Sequence, residues 1–310
     1  MNLLKNGSLW KDSDGNPIHA HGGFIIYYDN FYYWYGEDRR DDYYVNCYRS
    51  KDLANWEFRN HVLTTDSKTK HTRVRTQLSL VNGDHTKVNI ERPKVLFNPL
   101  TKKFILWAHF ENGKDYSEAA AAIASCDTPD GNFVYHGHMN PFGYMSRDCT
   151  LFQDDDGTAY FISAARDNAD LHIYRLSSDY MNVDKLVRKL WQGEYREAPA
   201  VFKRKERYYM VSSYCTGWAP NQGKYATSDS MDGNWTLLEN FGDETTYDTQ
   251  PAFVLKLNEE EILYYSDRWD AENYINSSYV LLPLQFEEEK LILKYYDQYE
   301  IDDDKNIQFK

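Results

Sequence analysis

With 310 residues, 48 acidic against 35 basic side chains and a net charge of −13, the chain is a poor partner for nucleic acid, whose phosphates require a basic surface. No apolar run approaches the ~18 residues of a membrane-spanning helix. The start, Met1-Asn2-Leu3-Leu4-Lys5-Asn6, has no secretory leader, so no membrane partner and a cytoplasmic location are expected.

In chain order, one pattern returns five times: a polar lead, a short apolar segment, a turn, an aromatic strand, then further strands. The first repeat runs from His21-Gly22-Gly23 into a segment around Phe24, turns at Asp29-Asn30 and continues as Phe31-Tyr32-Tyr33-Trp34-Tyr35. Its outermost strand is announced by Asp52-Leu53-Ala54-Asn55-Trp56. The second repeat leads with Glu91 into a segment around Val95, turns at Asn98-Pro99 and gives Lys103-Phe104-Ile105-Leu106-Trp107. Glu118 to Ala124 then has high helix propensity, but its place in the repeat is that of a third strand, before the turn Asp130-Gly131-Asn132-Phe133. In the third, Asp148 precedes Leu151, and Asp154-Asp155-Asp156-Gly157 reads as a hairpin turn before Thr158-Ala159-Tyr160-Phe161-Ile162. A calcium loop would need alternating ligands and a distal Glu, which are missing. The fourth goes from Glu197 through Val201 to Arg207-Tyr208-Tyr209-Met210-Val211, then Asp232-Gly233-Asn234-Trp235. The fifth goes from Gln250 through Phe253 to Glu261-Ile262-Leu263-Tyr264-Tyr265 and ends in Leu291 to Tyr296.

Aromatic and β-branched runs bounded by turn residues favour strands, and a strand-only period of roughly 50 to 70 residues is the signature of a propeller. The expectation is an all-β, five-bladed β-propeller forming a single domain over residues 1–310. Its blades would fall near 20–62, 91–140, 148–190, 197–240 and 250–296. Aromatic content of 16%, including 27 tyrosines, suits sheets packed face to face. Cys47, Cys126, Cys149 and Cys215 are scattered and read as buried thiols rather than disulfides. Asp302-Asp303-Asp304 reads as a solvated end.

In a propeller the residues leading into the innermost strands form a ring at one mouth of the channel. That ring would hold His21, Glu91, Asp148, Glu197 and Gln250. Three carboxylates and a carboxamide converging there suit acid/base chemistry. The bland alternative is salt bridging to the adjoining Arg92, Arg147 and Arg196.

Ala20-His21-Gly22-Gly23, Tyr33-Trp34-Tyr35-Gly36-Glu37, Glu91-Arg92-Pro93-Lys94-Val95, Ser146-Arg147-Asp148 and Arg196-Glu197-Ala198-Pro199 resemble glycoside hydrolase family 43. So do Cys215-Thr216-Gly217-Trp218-Ala219-Pro220-Asn221 and Tyr265-Ser266-Asp267-Arg268-Trp269. The nearer resemblance is to its exo-β-1,3-galactanases. It covers the chain from about Trp10 to Leu284 and implies a five-bladed propeller that inverts anomeric configuration while releasing galactose from β-1,3-linked galactan or galacto-oligosaccharides. It implies that Glu197 is the general acid and that Asp148 orients it and raises its pKa.

The family's usual base, an Asp at the start of the first inner strand, is replaced here by Ala20-His21. The resemblance gives that part to Gln250, with Glu91 as the other candidate and His21 a third. Glu37, Tyr116, Thr216 and Trp218 fall where contacts to the terminal galactose are implied. No cofactor is called for; a structural calcium occurs in some relatives, but no ligand spacing here requires one. Two alternatives remain open at this level: α-L-arabinofuranosidase or β-xylosidase activity within the family, and a non-catalytic sugar-binding propeller. A protein-interaction scaffold would leave the concentrated carboxylates without a use.

Overall fold

Alternation along the aromatic runs decides how the sheets stack. Successive side chains of a strand point to opposite faces, so Tyr32 and Trp34 pack with Phe253, Leu263 and Tyr265, while Tyr33 and Tyr35 pack with Val95, Phe104 and Leu106. The second strands are apolar on both faces because each sheet has a neighbour on both faces. The Ala119–Ala124 run obeys the same rule: Ala120, Ala122 and Ala124 join one cluster, and Ala121 and Ile123 the next. Tertiary packing overrides their helix propensity, and Ala120–Cys126 is a strand.

The computed structural model describes residues 2–70, 80–302 and 304–309. Five antiparallel sheets have four strands each. The first is His21–Tyr28, Phe31–Glu37, Tyr43–Ser50 and Glu57–Thr64; the second is Asn89–Asn98, Lys103–Glu111, Ala120–Cys126 and Val134–Met139. The third is Cys149–Gln153, Ala159–Ala165, Asp170–Leu176 and Val183–Leu190; the fourth is Arg196–Arg204, Arg207–Tyr214, Lys224–Ser228 and Glu239–Asn240. The fifth is Gln250–Lys256, Ile262–Arg268, Ser278–Glu287 and Lys290–Leu293. Five apolar clusters lie between consecutive sheets and between the fifth and the first. The Asp154–Gly157 segment is the expected hairpin turn, with Gly157 N donating to Asp154 O at 3.0 Å.

The blade count needs correction: the propeller has six sheets, not five. The sixth has three strands, Asn2–Lys5, Gln298–Ile301 and Ile307–Phe309, drawn from both chain ends. No strand in it exceeds four residues, and none belongs to the internal repeat, so periodicity could not announce it. Leu4, Tyr299 and Ile301 enter the cluster shared by the first and fifth sheets. Asn6 ties the lead strand to the fifth sheet: its Nδ2 donates to Leu281 O (2.9 Å) and Tyr296 O (2.8 Å), and its Oδ1 accepts from Leu281 N (2.8 Å). The acidic segment near the end is the turn of this sheet, where Asp302 Oδ1 accepts from Asn306 N at 2.8 Å; Asp303 lies outside the described residues.

One further difference concerns the fourth sheet, whose outermost strand is only two residues, Glu239–Asn240. Thr236 takes over part of that ladder, its N donating to Thr227 O at 2.8 Å and its Oγ1 accepting from Thr227 N at 3.0 Å. Among the described residues no helix is long and apolar enough to cross a membrane.

Candidate active site

Four of the five ring positions are aimed by the same device. Glu91 and Lys94 pair with His109 and Trp107, so Arg92 and Pro93 together face one residue. Glu197 and Ala200 pair with Ser213 and Val211, leaving Ala198 and Pro199 opposite one residue. The same two-against-one count follows His21, and a register shift also follows Pro251. These are β-bulges, which bend a strand and re-aim its side chains. Proline, having no N–H for the ladder, is tolerated at such a break. Arg92 (φ 53°) and Ala198 (φ 49°) take left-handed backbone, a conformation that costs energy for non-glycine residues and clusters at functional sites. At Gly22 (φ 55°) glycine relieves that cost, and an added Cβ would stand 3.1 Å from Arg92 Cδ.

The bulges direct side chains into a cavity of about 230 Å³ at the channel mouth, whose lining includes Glu37, Glu91, Asp148, Glu197, Trp218 and Gln250. Two polar clusters meet there. In one, Glu197 Oε1 accepts from Gln250 Nε2 at 2.9 Å and its Oε2 from Asn168 Nδ2 at 3.2 Å. Burial, and then the charge of Asp148, push the Glu197 carboxyl up to about 8, so it is a proton donor at neutral pH. Asp148 itself is held by Arg92 at 3.2 Å.

Gln250 is fixed on every side. Its Oε1 accepts from Arg92 Nη2 and from Trp269 Nε1 (2.8 Å), and its Nε2 also donates to Ser213 Oγ at 3.0 Å. Guanidinium and indole N–H groups only donate, so the amide cannot be turned over. Lys94, fully buried, donates to Gly22 O and to Gly23 O (3.1 Å).

In the second cluster Arg39 Nη2 lies 3.2 Å from both Glu37 Oε2 and Glu91 Oε1. Tyr116 donates its hydroxyl to Glu91 Oε1 at 2.8 Å, and His109 Nδ1 stands 3.2 Å from Glu91 Oε2. Burial opposes ionisation of Glu91, but His109, Arg39 and Tyr116 outweigh it and hold the carboxyl down at about 2. Glu37 goes the other way: burial, aided by Glu91 and opposed by Arg39, raises it to about 7. The Arg39 guanidinium lies 5.5 Å from the Trp218 ring centroid and 4.7 Å from that of Tyr274. Trp218 stacks on Trp269 at 5.6 Å and 13°. Aromatic faces beside hydrogen-bonding carboxylates form a site suited to a sugar, which offers C–H faces and hydroxyls together.

Residues 97–245 match the family described as "Glycosyl hydrolases family 43". The chain is 43% identical to an exo-β-1,3-galactanase from Clostridium thermocellum over 99% of this chain and 68% of that one, with a TM-score of 0.91. The chain belongs to glycoside hydrolase family 43. It is also similar to an exo-β-1,3-galactanase from Phanerochaete chrysosporium, a structure solved with β-1,3-galactotriose: identity is 30% over 100% of this chain and 71% of that one, with a TM-score of 0.88. A family 43 β-1,3-galactosidase solved with galactodeoxynojirimycin is 31% identical over 95% of this chain and 99% of that one, with a TM-score of 0.85. None of the curated protein sequences compared with the chain matches it.

For this family 43 chain, the pocket gathers seven of the nine residues singled out from sequence: Glu37, Glu91, Tyr116, Asp148, Glu197, Trp218 and Gln250. Thr216 stands apart. Its hydroxyl donates to Ala219 O (2.6 Å) and accepts from Asn221 Nδ2 (2.7 Å), closing its own loop outside the pocket lining. His21 is buried behind the wall, its Nδ1 3.0 Å from Asp267 and its Nε2 3.3 Å from Tyr279. Asp267 supports the rim, since its other oxygen accepts from Gly22 N at 2.9 Å.

Two of the three ring carboxylates are salt-bridged, Asp148 to Arg92 and Glu91 to Arg39 and His109, but only Arg92 comes from the three adjoining arginines. Arg92 holds Asp148 rather than its neighbour Glu91, Arg147 pairs with Asp167, and Arg196 bonds among the described residues to Ser212. Sequence reasoning missed Arg39, His109 and Asn168. His109 had a signal, being an ionisable residue in the strand that pairs with Glu91. Asn168 had none, because a loop with three consecutive left-handed residues, Arg166 to Asn168, delivers it. Among the described residues no group of three or more His, Cys, Asp and Glu is arranged to hold a metal ion.

Proposed function

We propose that this protein is an inverting, exo-acting galactosidase that releases galactose from β-1,3-linked galactan or galacto-oligosaccharides. The observation that carries the reading is Glu197, buried beside Asp148 and hydrogen-bonded to Gln250 and Asn168 in a cavity of about 230 Å³, where burial and the charge of Asp148 raise its pKa. The 43% identity to an exo-β-1,3-galactanase supports the choice of sugar. Glu197 protonates the departing glycosidic oxygen; Asp148 keeps the proton on Glu197 until the sugar is bound and the bond begins to break. Glu37, Tyr116 and Trp218 contact the terminal galactose, and the Trp218 face takes its C–H surface.

In an inverting glycosidase the acid and the water-activating group stand about 6.5–9.5 Å apart, with the sugar and the water between them. Gln250 is in direct contact with Glu197, at 2.9 Å. That contact supports a role beside the acid, in which Gln250 orients Glu197, rather than one across the sugar from it. Glu37 and Glu91, drawn from the first and second sheets, line the cavity from the other cluster, and one of their carboxylates takes the proton of the attacking water as it bonds to the anomeric carbon. Pentoside activity is the weaker reading, because the first inner strand presents His21, committed to Asp267 and Tyr279, where a base would stand.

Proton NMR of the purified protein with β-1,3-galactobiose tests the proposal. Appearance of α-galactose before mutarotation is the expected result. Release of β-galactose first would refute inversion, and cleavage confined to arabinosides or xylosides would refute the sugar.

A further inference from the structure

Behind the second cluster stands a carboxylate that the proposed chemistry does not use. Glu111, at the end of the strand Lys103–Glu111, is 0% exposed and lies outside the pocket lining. A buried ionisable group is costly unless it is well bonded, and every bond of Glu111 leads toward Glu91. Its Oε1 lies 2.8 Å from His109 Nε2. His109, two residues earlier and so on the same strand face, is the register partner of Glu91 and reaches Glu91 Oε2 with Nδ1 at 3.2 Å. The Oε2 of Glu111 accepts from Glu118 N and Ala119 N, both at 3.0 Å. That bond closes the loop carrying Tyr116, whose hydroxyl reaches Glu91 Oε1.

We propose that Glu111 and His109 are a positioning pair that holds Glu91 ionised and fixed as a hydrogen-bond acceptor for the hydroxyls of the terminal galactose. The proposal rests on the galactosidase reading above. The imidazole stands between two carboxylates, hydrogen-bonded through Nε2 to Glu111 and in ion-pair contact through Nδ1 with Glu91, an arrangement that favours keeping both ring protons. Burial lowers the His109 pKa, but Glu111 and Glu91 outweigh it and raise the imidazole to about 9. Burial alone would neutralise Glu91, turning an acceptor into a donor that mismatches the sugar. A carboxylate has about four lone-pair sites; Arg39 and Tyr116 fill two, both on Oε1, while Oε2 faces His109 and keeps acceptor capacity for a sugar hydroxyl. The other charged or titratable groups around the pair are Glu37 and Arg39 from the first sheet, Arg92 on Glu91's own strand and Cys149 from the third sheet.

The test uses His109→Gln and the isosteric Glu111→Gln. The Glu91 carboxyl is titrated by carbon NMR in the free protein, and kcat and KM for β-1,3-galactobiose are measured across pH. In the native protein the Glu91 carboxyl is held well below the ordinary carboxylate range by His109, Arg39 and Tyr116. In both variants its midpoint rises by at least one pH unit, the acid limb of kcat/KM moves up with it, and KM rises as pH falls through the new midpoint, while the alkaline limb stays in place. An unmoved Glu91 midpoint, or a uniform loss of rate with an unmoved acid limb, would overturn the proposal and leave the pair as scaffolding. Nitrogen NMR of the native protein adds an arm that needs no variant: a neutral His109 at pH 7 also overturns it. If the native protein failed to cleave galactobiose, the galactosidase reading would fall, and the Glu91 titration would still decide the pair.

Discussion

Glu197→Gln removes one proton and almost nothing else, so its consequences can be worked from the structure. The carboxyl accepts from Gln250 on one oxygen and from Asn168 on the other. A glutamine keeps the first bond through its oxygen, because Gln250 is locked by Arg92 and Trp269. Its new NH₂ meets Asn168, whose Oδ1 has no partner among the described residues, so Asn168 turns over and accepts. Stability should therefore change by less than about 1 kcal/mol, the net worth of one hydrogen bond. The chemical cost is far larger. Losing a positioned general acid costs about 10²–10⁴-fold, or roughly 2.7–5.4 kcal/mol at 1.36 kcal/mol per tenfold. That cost depends on the leaving group. On β-1,3-galactobiose kcat should fall by the full factor with KM little changed. On a dinitrophenyl β-galactoside, whose leaving group needs no proton, the loss should shrink to less than about tenfold, because proton donation is the only contribution removed. Steady-state kinetics on both substrates, with a thermal melt as control, give the answer. Full activity on galactobiose would refute the assignment, and equal losses on both substrates would show that Glu197 acts in some other way than as an acid.

Other predictions follow from the same geometry. The acid works protonated, so kcat/KM falls as pH rises through the Glu197 pKa, about 8; Asp148→Asn removes the second cause of that elevation and should move the alkaline limb to lower pH, which a pH–rate profile reads. Because the folded pKa of Glu197 lies above its unfolded value of about 4.3, its contribution to stability is complete below that pH and is lost as pH rises toward 8; denaturant melts of Glu197→Gln across this window should show a flatter slope than the native protein. Trp269→Phe keeps an aromatic face but removes the donor to Gln250 Oε1; it should cost about 0.5–1.5 kcal/mol in urea unfolding and lower kcat on galactobiose as Gln250 loosens, which steady-state kinetics reads. Asn6→Ala removes three hydrogen bonds that tie the terminal sheet to the fifth and should cost about 1–3 kcal/mol in urea unfolding; an unchanged midpoint would mean that the sixth sheet does not help close the ring.

Much was legible in the sequence because it is local. Strand periodicity, the Asp-led turns and the polar residue ahead of each inner strand are written within a few neighbours, so the all-β propeller and the ring of Glu91, Asp148, Glu197 and Gln250 could be read directly. The Glu-Arg-Pro and Glu-Ala-Pro triplets even carried the bulges, since proline cannot donate to a ladder. What the sequence could not determine was whatever joins distant segments. The sixth sheet pairs Asn2–Lys5 with Gln298–Ile301, strands nearly the whole chain apart and too short to carry a pattern. Gln250 was expected across the sugar from the acid; only packing of the fourth sheet against the fifth sets its amide on Glu197 and wedges its oxygen between Arg92 and Trp269. Protonation states belong to that second category as well. Glu37, Glu91 and Glu197 are the same side chain in sequence, yet burial among different charges raises two and lowers the third, because electrostatic energy depends on distance and solvent access, which only the folded chain sets.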